Sequence, residues 1–306
     1  VKKAAEDLRK ITPHIEGTYV KPEVAIVLIY ENIWALDVEV CHGDVNYYGM
    51  NSWKPAVDGY RVLYERNIQV DFVDPTFESL DGYRMLFIPS LMLMNPEIEG
   101  KLKSYVKNGG ILIATPRTSA KDWNNKIVED TLPGGLSDMF GATIEEYTGL
   151  PDNMPVEVET VEAEIGTHAI CRCENWMEML SPIEARPIAF YRSGMYRNRP
   201  AAIINDFGEG TAVYIGCFAD GNLYSTVIDW LVKRNKVTSV LPAVKGLEAT
   251  KRVSMDEEIF FALNHNEYPI KVSCGKMEFE DLLENRKVKG TFRIEGLDVR
   301  ILKAKH

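Results

Sequence analysis

The chain has 306 residues and a formal net charge of −10, from 35 lysines and arginines against 45 aspartates and glutamates. A negative balance of this size disfavours nucleic acid as a partner, because a phosphate backbone would be repelled. No apolar run approaches the ~20 residues that span a bilayer, so a membrane is not expected as a partner either. The length is enough for one large and one small domain.

The cysteines and histidines show no pattern of a disulfide framework or a metal site. The five cysteines are odd in number and widely spaced, and Cys171-Arg172-Cys173 lacks the second pair that a zinc finger requires. The histidines lie far apart and form none of the usual metal-binding spacings. The sequence therefore predicts structural thiols in a reducing cytoplasm, with neither a metal nor a cofactor.

Strands and helices alternate through the first half of the chain. Apolar runs predict strands at 23–30, 68–73, 84–89 and 111–115. The first run is nearly all apolar and β-branched, as in a strand that is buried on both faces. One helix is predicted at 54–67, and a second begins after Asn95, which caps it, and ends at Gly109. This order predicts a mostly parallel α/β sheet with helices on both faces.

The second half is predicted to add strands and to end in a separate small domain. Residues from Pro116 to about Leu150 show no regular pattern and contain the turn sequence Pro133-Gly134-Gly135. Further strands are predicted at 187–192, 201–205 and 211–216, followed by a helix at 222–234. From Gly246 onwards, segments of period two predict strands at 248–252, 259–264, 270–274, 290–294 and 297–302. The sequence therefore predicts a small antiparallel β domain at the end.

The turn after the strand at 111–115 reads Thr115-Pro116-Arg117 and contains neither cysteine nor serine. In the superfamily of cysteine amidotransferases and related α/β hydrolases, the nucleophile stands on a turn of this kind. No histidine follows the strand at 211–216, where the partner of such a nucleophile is expected. The sequence therefore predicts a hydrolase-type scaffold without a catalytic triad, and no catalytic residue is assigned.

Three residues, Trp34, Arg117 and Asp122, are candidates for a substrate pocket or a subunit interface. The first belongs to an early group of aromatic residues, namely Tyr30, Trp34, Tyr47, Tyr48 and Trp53. Tryptophan and tyrosine are enriched at interfaces, and core packing is the alternative role of this group. Arg117 and Asp122 follow a strand, at the edge of the sheet where ligands of open α/β sheets bind. A structural Arg–Asp pair on the loop is an equal alternative.

Short motifs also follow one another in a specific order along most of the chain. They lie at 24–36, 81–89, 105–110, 117–119, 133–136, 141–146, 176–178, 200–202, 208–216 and 260–265. Their order resembles the non-catalytic half of the glycoside hydrolase family 42 β-galactosidases. In that family a (β/α)8 barrel with both catalytic glutamates comes first, an amidotransferase-like α/β domain builds a homotrimer, and a small β domain ends the chain.

The resemblance implies a flavodoxin-like or class I amidotransferase-like trimerisation domain at 23–240 and a C-terminal antiparallel β domain at 241–306. Residues 1–22 would be the last barrel helix and a connector, and Val1 in place of a methionine suggests a chain cut from a longer protein. The expected partners are copies of the same chain in a homotrimer and the missing barrel.

The resemblance further implies that the intact enzyme hydrolyses terminal β-D-galactosides with retention. Since the catalytic glutamates have no counterpart in this chain, we expect the chain alone to be inactive. Two other classes stay open from the residues themselves. One is a standalone amidotransferase-like or sugar-binding module, and the other is an enzyme with an unrecognised catalytic set.

Overall fold

A computed structural model describes residues 2–39, 52–151 and 154–305. The described chain divides into two compact units. The first unit lies within 24–62 and 71–236. The second lies within 1–23, 63–70 and 237–306. Within the described ranges, no helix combines the length and the apolar character that a membrane span requires.

Helices and strands are interspersed up to residue 141, and strands predominate from there to residue 219. The helices are α1 (Lys2–Ile15), α2 (Tyr30–Asp37), α3 (Lys54–Tyr64), α4 (Pro96–Lys107), α5 (Ser137–Phe140), α6 (Glu162–Ile165) and α7 (Gly221–Arg234). The strands are β1 (Val24–Val27), β2 (Val70–Val73), β3 (Met85–Ile88), β4 (Leu93–Met94), β5 (Ile111–Ala114), β6 (Lys121–Asp122), β7 (Ala142–Gly149), β8 (Val156–Thr160), β9 (Ile170–Pro182), β10 (Arg186–Tyr191), β11 (Pro200–Phe207), β12 (Gly210–Ile215) and β13 (Cys217–Ala219). A short 3-10 helix, Gly134–Leu136, precedes α5.

The large sheet is mixed, with strand order β13-β9-β8-β10-β11-β12-β5-β3-β1-β2 and with β7 paired to β9. Parallel pairs join β1 to β3, β3 to β5 and β5 to β12. Antiparallel pairs join β12 to β11 and continue through β10, β8 and β9 to β13. The predicted parallel arrangement is therefore found around β5, and the strands beyond β12 form an antiparallel extension.

Helix α4 follows its prediction from the sequence. The side chain of Asn95 caps the helix by accepting a hydrogen bond from the Ile98 amide at 2.9 Å. Gly109, just past the helix, has φ +103°, the left-handed conformation that commonly ends a helix. The apolar face of α4 is buried in the same core cluster as β3 and β5.

Strands β7, β8 and β9 were not predicted from the sequence. The expectation that 116–150 has no regular structure is wrong for β7, which pairs with β9 along most of its length. β9 contains cysteine, asparagine, glutamate and serine, and its buried Glu178 stands where a strand pattern calls for an apolar residue. Polar residues at inward positions therefore hide the strand from a search for alternating hydrophobicity.

The second unit contains a separate antiparallel sheet, of β14 (Leu247–Val253), β15 (Glu258–Asn264), β16 (Ile270–Asp281), β17 (Arg286–Ile294) and β18 (Val299–Lys305). Its strand order is β14-β15-β18-β16-β17. Each predicted strand of the small β domain is found here, and β16 and β17 extend further than predicted, past a break in register. Within this unit, Ile11 of α1 clusters with Ile259 and Ile301, and the Asn67 side chain accepts a hydrogen bond from the Ala249 amide at 3.0 Å.

Candidate ligand cavity at the end of strand β5

The turn after β5 is held by buried hydrogen bonds. Arg117 and Ser119 have φ values of +72° and +61°, a conformation that is unfavourable for residues other than glycine. The Thr115 hydroxyl accepts from the Ser90 amide at 2.8 Å, and the Thr118 hydroxyl donates to the Thr115 carbonyl at 2.8 Å. These contacts fix the turn, so that the backbone N–H and the side chain of Arg117 have defined directions.

Glu178 of β9 lies beneath this turn and is 1% exposed. One carboxyl oxygen accepts from the Arg117 amide at 2.8 Å and from Trp176 Nε1 at 3.1 Å. The other accepts from the Tyr214 hydroxyl at 2.8 Å. Burial raises the pKa of Glu178 above its ordinary value, although these three donors act in the opposite direction. Glu178 is therefore a buried acid whose two carboxyl oxygens both accept hydrogen bonds from groups of the same chain.

Glu39 follows α2 and places a second carboxyl group at the turn. One of its oxygens pairs with the Arg117 guanidinium and the other with the Lys121 ammonium group. Burial opposes ionisation of Glu39, but the hydrogen bond from Lys121 and the charge of Arg117 hold its pKa below the ordinary value. The two cations therefore share one carboxylate in a compact cluster.

A cavity of about 320 Å³ opens beside this cluster, and we call it the Arg117 cavity. Its wall includes Glu39, Arg117, Lys121, Tyr147, Trp176 and Glu178. The ring of Tyr147 stacks on Trp176 with 5.0 Å between centroids and 23° between planes. The guanidinium carbon of Arg117 lies 5.4 Å from the centroid of the Trp176 ring. The cavity thus combines a charge cluster with an aromatic wall.

The three candidates from the sequence lie in different places. Arg117 lines the cavity. Asp122 lies on β6, where its Oδ1 accepts from the amides of Asn124 and Lys126, each at 2.9 Å, and so closes its own turn. The structural pair of Arg117 with Asp122, which was the alternative from the sequence, is not the ion pair found here. The carboxylate that pairs with Arg117 is that of Glu39.

Trp34 lies on the exposed side of α2, with 60% of its surface accessible. It neighbours Tyr30 at 6.3 Å between ring centroids, and Tyr30 neighbours Trp53 at 6.0 Å. These three aromatic residues are thus adjacent, as the sequence grouping suggested, but they line the surface and not the core. Tyr47 and Tyr48 lie outside the described residues.

Sequence reasoning missed Glu39, Lys121, Trp176 and Glu178 as site residues. Trp176 and Glu178 belong to one of the short motifs at 176–178, which is the signal that would have found them. Nothing in the sequence around Glu39 distinguishes it from a surface acid. Its role depends on the chain folding back on the turn after β5.

The described cysteines are buried free thiols: Cys171, Cys173, Cys217 and Cys274. Burial, with a smaller contribution from the charge of Asp220, raises the pKa of Cys171 to about 12. Cys41 lies outside the described residues. Among the residues that the structure describes, no three His, Cys, Asp or Glu side chains are grouped so that they could share a metal ion.

A mixed α/β sheet, whose turn after β5 contains neither cysteine nor serine, is followed by a small antiparallel sheet, and this defines the class as an α/β domain joined to a small β domain. Residues 22–238 match the profile of the β-galactosidase trimerisation domain. Residues 246–304 match that of the β-galactosidase C-terminal domain. The chain therefore belongs to the glycoside hydrolase family 42 β-galactosidases, of which it contains these two domains.

Individual relatives agree with this assignment. β-Galactosidase BgaB of Geobacillus sp. (strain Y412MC61) is 26% identical over 307 residues, which covers 99% of this chain and 44% of that protein. β-Galactosidase Bga of Halorubrum lacusprofundi is 30% identical over 225 residues, which covers 71% of this chain and 31% of that protein. The chain thus spans less than half the length of these relatives.

A solved structure shares the fold. The crystal structure of β-galactosidase from Bacillus circulans sp. alkalophilus matches with a TM-score of 0.92 at 23% sequence identity. The match covers 98% of this chain and 44% of that one. At this level of identity the likeness establishes the fold and leaves the function to be argued from the site.

Proposed function

We propose that this chain is the trimerisation and C-terminal region of a β-galactosidase and that its own task is subunit association in a cytoplasmic homotrimer. The match to the trimerisation-domain profile over 22–238 supports this proposal most directly. We assign residues 1–22 to the end of a barrel and a connector, 23–240 to the trimerisation domain and 241–306 to the C-terminal domain. The trimerisation domain would then have the class I amidotransferase-like arrangement of parallel strands.

In the intact enzyme, a preceding barrel would supply both catalytic glutamates and hydrolyse terminal β-D-galactosides with retention. The chain described above would be inactive alone. The turn after β5 supports this view, because Arg117 occupies the place of a nucleophile and its guanidinium is paired with Glu39. An amidotransferase-like reaction has no attacking group at that position.

One apolar surface suits association between copies of the chain. This surface, the aromatic face, is formed by Tyr30, Trp34, Trp53, Tyr60 and Phe72. An apolar hollow of about 260 Å³ lies between Trp53, Tyr60 and Phe72. Contiguous exposed apolar patches mark interaction sites more often than isolated exposed residues do, and tryptophan is the residue most enriched among interface hot spots. We therefore assign Trp34 to the subunit interface.

The mass of the chain in solution tests this proposal. Sedimentation equilibrium is expected to show three chains per particle, and Trp34→Ser is expected to weaken association by about 2 kcal/mol or more, as hot-spot truncations do. Tyr268→Ser, at an exposed tyrosine of the β domain, is the matched control and should leave association unchanged. A particle of one chain at every concentration would contradict the assembly role. Hydrolysis of a chromogenic galactoside by this chain alone would contradict its predicted inactivity.

A further inference from the structure

The Arg117 cavity has the size, the polar groups and the aromatic wall of a small-molecule site. We propose that it binds one neutral hexopyranose. The proposal rests on this cavity and not on the proposed subunit association, so either could fail while the other holds. Galactose and glucose are the natural probes, because they share the ring and differ in the direction of one hydroxyl group.

The position of the cavity favours a ligand. The cavity lies where β5 ends and where β3 and β12 run parallel to it, and ligands of open α/β sheets bind outside the carboxyl ends of the parallel strands. Its volume of about 320 Å³ lies at the small end of the range of ligand sites, roughly 300–1,000 Å³. A single sugar ring fits such a volume better than a nucleotide or a longer oligosaccharide does.

The charge cluster favours a ligand without net charge. Glu39 places one oxygen on Arg117 and the other on Lys121, so an incoming anion would meet cations that already share a carboxylate. A second carboxyl group, Glu178, lies directly beneath the turn. An anion bound to the same two cations would lie against the Glu39 carboxylate and be repelled by it, whereas a neutral hydroxyl group would not.

The same cluster is suited to hydroxyl groups, each of which donates one hydrogen bond and accepts others. The Lys121 ammonium group has three N–H donors, of which the structure directs one to Glu39 and one to Asn125 Oδ1 at 2.9 Å. Each carboxylate oxygen of Glu39 has a second lone pair. A donor and an acceptor therefore lie side by side, as neighbouring hydroxyls of a sugar ring require.

The aromatic wall offers one ring face to the C–H surface of a sugar. Trp176 is covered by the stacked ring of Tyr147 and by the Arg117 guanidinium, so its ring supports the wall without itself being the contact surface. Tyr147 is 48% exposed and lines the cavity. Tyr147 is thus the residue on which a pyranose would stack. Its side chain offers an apolar ring for the contact and a polar hydroxyl group beside it.

Titration calorimetry on the full chain tests the proposal, with galactose, glucose, the open-chain polyol sorbitol and inorganic phosphate as probes. We expect saturable, millimolar binding of at least one of the two sugars at one site per chain. Sorbitol and phosphate are expected to bind about tenfold more weakly than that sugar, a difference of about 1.4 kcal/mol. Phosphate binding as tight as that of the sugar would overturn the claim of a neutral ligand, and sorbitol binding as tight would overturn the claim of a ring.

Two variants locate the site. Tyr147→Ala is expected to weaken sugar binding about tenfold, and Lys121→Met is expected to weaken it in the same direction. Tyr268→Ala, an exposed tyrosine far along the chain in the β domain, should bind as the unaltered chain does. Circular dichroism of each variant checks that it is folded. Absence of saturable sugar binding to the folded chain, or unchanged binding by Tyr147→Ala and Lys121→Met, would overturn the proposal, whereas the mass of the particle would be unaffected.

Discussion

The two ends of β5 differ in what fills the space around them. At its amino end, the turn between β11 and β12 packs backbone against backbone on the end of α4, and the Glu209 amide donates to the Lys107 carbonyl at 2.9 Å. A Cβ atom added at Gly210 would overlap the carbonyl oxygens of Val106 and Gly110. At its carboxyl end, polar side chains surround a cavity.

This difference separates a structural end from a functional end. Gly110, Gly208 and Gly210 at the amino end leave no room for an added Cβ atom, so these glycines serve close packing. The carboxyl end leaves volume and places charged groups beside it, even though Arg117 and Ser119 adopt unfavourable backbone conformations. Strain of this kind is commonly found at binding sites. We therefore expect large stability effects at one end and ligand or titration effects at the other.

The largest expected effect is at the amino end. Gly210→Ala should lower the free energy of unfolding by about 3 kcal/mol, because the added methyl group meets backbone atoms that cannot rotate away. Gly100→Ala, inside α4 with open space around it, is the matched control and should raise the free energy of unfolding by up to about 1 kcal/mol. Urea denaturation measures both. Equal effects of the two substitutions would show that close packing does not explain the glycines of this end.

The amino end was also the part that the sequence could predict. Gly109 as a helix end and 208–210 as a hairpin turn are local signals, because the elements on either side of each are its neighbours in the chain. The close approach of Gly210 to Val106 and Gly110 is a tertiary contact and has no such signal. The same holds for the capped helix α4 and for the buried strands β3 and β5. These elements are long or regular enough to show their period.

The carboxyl end was predicted only in outline. The rule for open sheets pointed to Arg117, but its amide partner Glu178 lies 61 residues further along the chain. Glu39 follows α2, an eight-residue helix that is too short to show a helical period and that directly follows an apolar strand. A contact between such distant segments has no local signature, since it depends on the tertiary fold.

A smaller effect is expected at Glu178, and it depends on pH. Its pKa in the folded chain lies above the ordinary value of 4.5, so the folded state binds more protons than the unfolded state above that pH. The contribution of Glu178 to the free energy of unfolding therefore falls as pH rises from 4.5 through its folded-state pKa. Glu178→Gln should cost about 1 kcal/mol below this window, and its cost should shrink as pH rises.

Glu39 provides the contrast, because its pKa is lowered. Its contribution to the free energy of unfolding is present above pH 4.5 and is lost as pH falls through the folded-state pKa. Glu39→Gln should therefore cost most above that pH and least in acid, the reverse of Glu178→Gln. Urea denaturation of both variants over a pH series measures the two trends. Parallel trends would show that the two carboxyl groups do not have opposite environments.

The smallest effect is expected at Asp122, which lies near the carboxyl end of β5 and does not line the Arg117 cavity. It tests whether a residue outside the cavity contributes to association or to sugar binding. Its carboxylate closes the turn to Lys126 at an exposed position, so Asp122→Ala should lower the free energy of unfolding by only about 0.5 kcal/mol. Asp122→Asn keeps the accepting oxygen and should be nearly neutral in the same urea series. If Asp122→Ala instead abolished association or sugar binding while the chain stayed folded, the carboxylate would belong to the interface or the ligand site, and the boundary of the functional end would extend beyond the Arg117 cavity.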